Sequence, residues 1–217
     1  MRTDELIVQL ARAAVPVRPL PGPSARLAGW TALVVPVTAL SVAVIGPRVD
    51  VLTAIYQPGF VAVAAATFAT ALLSAAAAFV LSVPGVERSP VQRAVPLAAA
   101  AVWALLLIVS LTSGDDPVQR VLALPFHWAC LIEIAGLSIV PGWALFAMLR
   151  RAAPLRRTWS AALATLASVA LAAVATQILC PIDAPAHQLV GHLVPVAFLS
   201  AGGAIVGRRW LNWLDGP

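Results

Sequence analysis

The sequence predicts an all-α integral membrane protein: a bundle of six transmembrane helices with a short cytoplasmic amphipathic helix at its N-terminus. Hydrophobic residues make up 61% of the 217-residue chain, and the mean hydropathy is +0.93, whereas soluble domains are about 45–50% apolar. Charged residues reach only 11%, too few to cover a water-exposed globule. The apolar residues are also gathered into six long runs, so a lipid bilayer is the solvent that fits this chain.

The first element is a short helix within residues 1–26, which we interpret as a cytoplasmic partner-binding segment. Thr3 is placed to cap this helix, and Asp4 is favourable in its positively polarised first turn. Leu6, Ile7 and Leu10 then share one face by helical spacing. Several prolines follow and predict a stiff tether to the membrane.

Two interpretations of this helix remain open. The helix can lie on the lipid surface, since its apolar face is short and Arg12 and Arg18 suit anionic headgroups. Alternatively, it can be presented to the groove of a soluble partner, through side chains spaced three and four residues apart. The acidic start, Asp4 and Glu5, fits a basic partner better than an anionic membrane.

Six apolar runs in residues 27–209 predict the transmembrane domain, because about 20 helical residues cross a bilayer. They are Leu27–Gly46, Phe60–Val83, Ala94–Ser113, Phe126–Leu149, Thr158–Cys180 and Leu189–Gly207. Residues 210–217 form a short tail. Small residues are dense in the second and fifth runs, which indicates that these helices pack in the interior. Pro36, Pro141 and Pro195 predict kinks, and the tryptophans mostly lie near span ends, as in an interfacial belt.

The arginines predict the orientation in the membrane. All fourteen basic residues are arginines, and only Arg48 and Arg120 lie at the outer ends of the predicted spans. The others lie at the opposite ends, so both termini and the loop Arg150–Arg157 are expected in the cytoplasm. The same placement argues against direct nucleic-acid binding, which needs basic residues clustered on a soluble element.

Ionisable and thiol side chains gather toward the outer end of the predicted bundle. His127 and Cys130 are three residues apart in the fourth span, Cys180 ends the fifth, and His187 and His192 flank the start of the sixth. Imidazole and thiolate together suit zinc, copper(I) or a similar soft metal. In an oxidising compartment, Cys130 and Cys180 can instead form a redox pair.

Each of these residues also has a plain structural interpretation. A cysteine in a helix is usually a small hydrophobe, and Glu133, one turn deeper than Cys130, can simply pair with a buried donor. The sequence contains no recognisable catalytic constellation, which predicts that the protein is not an enzyme and has no obligatory cofactor. Alternative functions are a small metal or ion transporter, or a cofactor-binding membrane protein such as a haem protein that uses His127 and His192.

The chain resembles the NrsF-like polytopic membrane anti-sigma factors of proteobacterial inner membranes. The resemblance rests on the opening MRTDELIVQLARAAVPVRPL, on FHWACL in the fourth span, on CPIDAPAHQLVGHLVP before the sixth, and on the closing GRRWLNW. It spans nearly the whole chain and includes the number of helices and their orientation.

The resemblance implies a non-enzymatic regulator of transcription in the stress response. Such a protein holds an extracytoplasmic-function (ECF) sigma factor at the inner membrane and releases it under metal or oxidative stress. Cys130 and Cys180 match the family's cysteines and are the expected sensing pair. The segment containing Asp4, Leu6, Ile7 and Leu10 matches the region that faces the sigma factor, and the Arg150–Arg157 loop is a further candidate for that interface.

Overall fold

The computed structural model describes residues 2–14, 19–113 and 128–211. All regular secondary structure in these stretches is helical, as predicted. The helices are α1 (Thr3–Ala13), α2 (Pro23–Ile45), α3 (Val51–Ala54), α4 (Pro58–Leu81), α5 (Pro90–Ser113), α6 (Trp128–Leu137), α7 (Ile139–Arg150), α8 (Arg157–Leu179), α9 (Pro185–Gln188) and α10 (Val194–Trp210). A π-helical turn, Leu189–Leu193, joins α9 to α10.

Six segments are long and apolar enough to cross a membrane, which confirms the predicted fold class. They are Pro23–Ile45, Pro58–Leu81, Pro90–Thr112, Trp128–Arg150, Arg157–Leu179 and Pro185–Gly207. A helix of this length rises about 35 Å, more than the hydrocarbon thickness of about 30 Å. The fourth span consists of α6 and α7, and the sixth contains α9, the π turn and most of α10. The predicted start of the fourth span, Phe126, lies outside the described residues.

The fifth span, α8, forms the centre of the bundle. In its apolar stretch 72% of the residues are buried, against 44% in α4 and 17% in α2. Ala164, Ala167 and Ala170 are fully buried, and their small side chains let neighbouring backbones approach closely. The prediction that the second and fifth spans pack in the interior is therefore confirmed.

Helix α10 packs against α8 through two glycines one turn apart. A methyl group added at Gly203 would overlap the side chain of Thr165 on α8. One added at Gly207 would lie 2.7 Å from the ring of Phe146 and 2.9 Å from Cβ of Ala161. Only glycine therefore allows α10 to lie this close to its neighbours, as in other membrane helices that pack through paired small residues.

A buried polar pair joins α4 to α8. Gln177 on α8 donates a hydrogen bond from Nε2 to Oγ1 of Thr67 on α4, at 3.1 Å. Thr67 in turn donates to the carbonyl oxygen of Val63, at 2.8 Å. Both side chains are almost completely buried, so the hydrogen bonds satisfy the amide nitrogen of Gln177 and the hydroxyl of Thr67, which lipid would leave unpaired.

The first span contacts the rest of the bundle through two large polar side chains. Arg26 donates from Nη2 to Oγ of Ser82, at 3.0 Å, and its guanidinium lies over the ring of Phe79. Trp30 donates from Nε1 to the carbonyl oxygen of Pro141, at 3.0 Å. Trp30 and Trp103 are fully buried and so depart from the predicted interfacial belt.

Two of the predicted kinks appear as breaks in regular helix. The fourth span is interrupted at Ser138, three residues before Pro141. In the sixth span, the N–H of Val194 donates to the carbonyl oxygen of Leu189, five residues earlier, directly before Pro195. Proline clashes with the turn that precedes it, and a π turn is one way in which helices accommodate such a residue. Pro36, by contrast, lies within the continuous helix α2.

The N-terminal helix α1 is present as predicted and has no buried residue. Its start differs from the prediction, because Thr3 is already helical and does not cap the helix. Instead, Glu5 accepts a hydrogen bond at Oε2 from the backbone N–H of Arg2, at 3.1 Å. The carboxylate of Glu5 thereby occupies the positively polarised end of the helix. The first part of the predicted proline tether, residues 15–18, lies outside the described residues.

A candidate metal and thiol centre

Four of the predicted site residues, Cys130, Cys180, His187 and His192, meet at one end of the bundle. Each of them offers one ligand atom, and these atoms all lie within 4.8 Å of one another. All four residues are buried. We call this group the metal and thiol centre. Its members come from three different spans, so only the folded bundle brings them together.

Local structure explains how each cysteine reaches the centre. Cys130 lies in the first turn of α6. Cys180 directly follows α8, and its N–H still donates to the carbonyl oxygen of Thr176, at 2.7 Å. Pro181, which has no N–H to continue the helix, turns the chain away at this point. The two thiols are free, with 3.9 Å between their Sγ atoms.

The histidines come from the irregular start of the sixth span. Nε2 of His187 lies 3.3 Å from Sγ of Cys180 and 3.6 Å from Sγ of Cys130. The ring of His192 packs edge-on against that of His187, with 5.5 Å between the centroids. Because His187 belongs to α9 and His192 to the π turn, the irregular backbone lets both rings face the thiols.

Gly191 makes room for the His187 ring. A methyl group added at this glycine would lie 3.1 Å from Cε1 and 3.4 Å from Nε2 of His187. That spacing is tighter than ordinary van der Waals contact, so a larger residue would push the imidazole. The position of this ring, and hence its distance from both thiols, therefore depends on a residue that has no chemical function of its own.

The spacing of three donors, the two thiols and Nε2 of His187, fits a four-coordinate soft metal ion, and a ligand atom of His192 lies within 4.8 Å of them. Zinc bonds of about 2.0–2.3 Å in a tetrahedron place neighbouring ligand atoms roughly 3.3–3.8 Å apart. The distances from His187 to the two thiols, and between the thiols, are 3.3, 3.6 and 3.9 Å. The imidazole of His192 is buried beside that of His187 and can supply the fourth ligand atom.

Two other predicted residues are not members of the centre. Glu133 is half-buried one turn below Cys130, and its Oε2 has no hydrogen-bond partner within the described part of the chain. It does not join the group of four. His127, predicted as a further ligand, lies outside the described residues.

Sequence analysis missed the role of Arg48, which follows α2. Its side chain is 2% exposed and forms ion pairs with Asp50 and Asp183, both at 2.6 Å. It also donates from Nη1 to the carbonyl oxygen of Cys180, at 3.2 Å. These contacts hold the pKa of Arg48 above its usual value and that of Asp50 below it. The only signal in the sequence was an arginine at the predicted outer end of a span, where arginines are rare.

The predicted partner-binding residues lie at the opposite end of the first span from Arg48, in the N-terminal segment. Asp4 is exposed, and Leu6, Ile7 and Leu10 are 39%, 58% and 62% exposed. These apolar side chains of α1 are thus available to a lipid surface or to another protein.

Comparison with known proteins places the chain in a family. A family model described as negative regulator of sigma F matches residues 10–213. No curated protein and no solved structure matches the chain. The family match covers all six spans and all four residues of the metal and thiol centre. The chain therefore belongs to the NrsF family of negative regulators of sigma F.

Proposed function

We propose that this protein is an anti-sigma factor of the bacterial inner membrane, which sequesters an ECF sigma factor and releases it under metal or oxidative stress. The family match supports a negative regulator of a sigma factor. The six apolar spans support a multi-pass membrane location. The arginine distribution supports cytoplasmic termini, so that α1 faces the compartment in which sigma factors act.

The single observation that carries the sensing role is the convergence of Cys130, Cys180, His187 and His192. Two thiolates and two imidazoles form a ligand set for zinc, cadmium or a similar soft ion. Metal binding releases the thiol protons and draws α6, the end of α8 and the start of the sixth span together. The bound ion is regulatory, because the bundle has its own packed core without it.

Oxidation of the same thiols is the second signal that we include in the proposal. Hydrogen peroxide takes two electrons and two protons from Cys130 and Cys180, its O–O bond breaks to give two molecules of water, and a disulfide forms between the two Sγ atoms. Both routes join α6 to the end of α8. The fourth span (α6 and α7) and α8 are joined at their other ends by the Arg150–Arg157 loop. A tilt of these spans would therefore move that loop.

The sigma factor is proposed to bind α1 through Leu6, Ile7 and Leu10, with Asp4 facing a basic group on the partner. This helix presents an apolar stripe next to an acidic first turn, a pattern suited to the groove of a soluble protein. A ligand at the centre changes this binding only if it has different affinities for the holding and the releasing states.

Affinity co-purification from the native host tests the proposal. The detergent-solubilised full-length protein is expected to retain a stoichiometric sigma factor, and deletion of residues 1–20 is expected to abolish its recovery. Ile7→Asp should weaken the complex, whereas Val8→Asp, which lies off the stripe of Leu6, Ile7 and Leu10 by helical geometry, is the matched control. Recovery of no sigma factor under any growth condition would contradict the proposal.

The same preparation tests the signal. Addition of zinc, cadmium or hydrogen peroxide is expected to release the sigma factor from the wild-type protein but not from the Cys130→Ser and Cys180→Ser variants. Equal release from all three proteins would show that the cysteines are not the sensor.

A further inference from the structure

The buried Arg48, just after the first span, forms hydrogen bonds to residues at the metal and thiol centre. The N–H of Arg48 donates to the carbonyl oxygen of Ile178, at 3.0 Å, and its Nη1 to that of Cys180. The side chain of Arg48 thus reaches past the last turn of α8 to the residue that provides a thiol. Both of these carbonyl groups lie at the negative end of the α8 dipole, where a cation is favourable.

Two carboxylates hold this guanidinium, and they differ in what they connect. Asp50 accepts from Nε and Nη2, both at 2.6 Å, but it lies only two residues from Arg48. Asp183 accepts from Nη1 at 2.6 Å and from Nη2 at 2.7 Å, and it lies 135 residues away. The first pair is local, whereas the second joins the end of α2 to the segment between Cys180 and His187.

That segment has no helical hydrogen-bond ladder to hold it in place. Residues 181–184 are outside any helix, and Cys180 and His187 stand at its two ends. A bidentate arginine–carboxylate pair has two short, directional hydrogen bonds, so it fixes the position of the Asp183 side chain. The side chain of Arg48 is 2% exposed and that of Asp183 is 33% exposed, so the arginine is held inside the protein while the carboxylate lies at its edge.

We propose that Arg48 is a positioning residue of the metal and thiol centre, acting through Asp183 to hold the Cys180–His187 segment against the end of the first span. This inference deepens the proposed function and rests on it for its biological meaning. Helix α2 then links the centre to the N-terminal segment. It directly follows that segment, and Arg48, just after its other end, contacts the centre.

The two aspartates provide a matched test. Asp183→Asn and Asp50→Asn each remove one negative charge beside the guanidinium of Arg48. Only Asp183→Asn weakens the connection between the end of α2 and the Cys180–His187 segment. We expect Asp183→Asn to lower the affinity for zinc by about tenfold or more, as is usual when a group that orients a metal ligand is lost. Asp50→Asn should have a clearly smaller effect, since Arg48 keeps Asp183 and the carbonyl oxygen of Cys180. Zinc affinity is measured on full-length protein in detergent by competition with a chelating dye.

A second readout requires neither metal nor sigma factor. Dibromobimane becomes fluorescent when it bridges two neighbouring thiols, so its yield in membranes reports how well Cys130 and Cys180 are held together. The yield should fall in Asp183→Asn and Arg48→Gln and stay near the wild-type level in Asp50→Asn. Exchanging the charges in the double variant Arg48→Asp, Asp183→Arg should restore part of the yield, which distinguishes loss of the pair from general misfolding.

The outcomes separate this inference from the proposed function. Equal zinc affinity and equal bimane yield in Asp183→Asn and Asp50→Asn would overturn the positioning role of Arg48, whatever the sigma factor does. A selective loss in Asp183→Asn with no sigma factor ever recovered would support the positioning role and contradict the proposed function instead.

Discussion

At the scale of single residues, the metal and thiol centre depends on a close approach between His187 and Gly191. The imidazole lies where a methyl group on residue 191 would be 3.1 Å from its Cε1 atom. We expect Gly191→Ala to displace the ring from the two thiols and to lower zinc affinity by about tenfold, as for other changes that misorient a ligand.

Gly202→Ala is the control for this variant, because a methyl group at Gly202 meets no atom within 4 Å. Both variants add one methyl group to the sixth span, so a difference between them reports on the centre itself. Zinc competition on the two purified proteins makes the measurement. Unchanged affinity in Gly191→Ala would mean that the His187 ring is not a ligand or moves freely.

The sequence was informative about these residues to different degrees. Cys130, Cys180, His187 and His192 could be assigned to one end of the bundle because each lies at or near the end of a predicted span, and successive spans run in opposite directions across the membrane. Arg48 could not be assigned in the same way. Its partners, Asp50 and Asp183, lie in irregular segments that follow α2 and α8. The periodicity of hydrophobic residues shows helices, but it does not show how two irregular segments fold toward each other.

At the scale of helices, the packing of α10 on α8 leaves no room for a side chain at Gly203. The Cβ atom of a valine at position 203 would already overlap the side chain of Thr165, and overpacking of this kind costs about 1–3 kcal/mol. The variant Gly203→Val therefore tests this contact. We expect a lower midpoint of thermal unfolding in detergent for this variant. Gly202→Val, whose side chain would enter open space, should unfold close to the wild-type temperature, and a similar loss in both would contradict the packing described.

The spans themselves followed directly from the sequence, whereas their irregularities did not. A run of about 20 apolar residues must satisfy its own backbone in lipid, and only a helix does so. The break at Ser138 and the π turn at Leu189–Leu193 depend on which neighbours satisfy the freed backbone groups. The prolines indicated where regular helix is disturbed, but not that Pro36 would remain in a continuous helix while Pro195 would follow a π turn.

At the scale of the whole molecule, the arginine distribution makes a prediction about orientation. Alkaline phosphatase, which is active only outside the cytoplasm, should be active when fused after Tyr56, in the loop between α3 and α4. Green fluorescent protein, which fluoresces only inside, should be fluorescent when fused after Ala153, in the loop between α7 and α8. The reverse pattern would place the metal and thiol centre in the cytoplasm and the N-terminal segment outside, against the proposed function.

The hydrogen bond between Gln177 and Thr67 has a consequence for the height of the centre in the membrane. Helices that meet only through alanines can slide along each other at little cost, whereas a donor and an acceptor in hydrocarbon must stay level with one another. Gln177 is three residues before Cys180. The pair therefore fixes the axial register of α8 against α4, and with it the depth of the Cys180 thiol within the bundle.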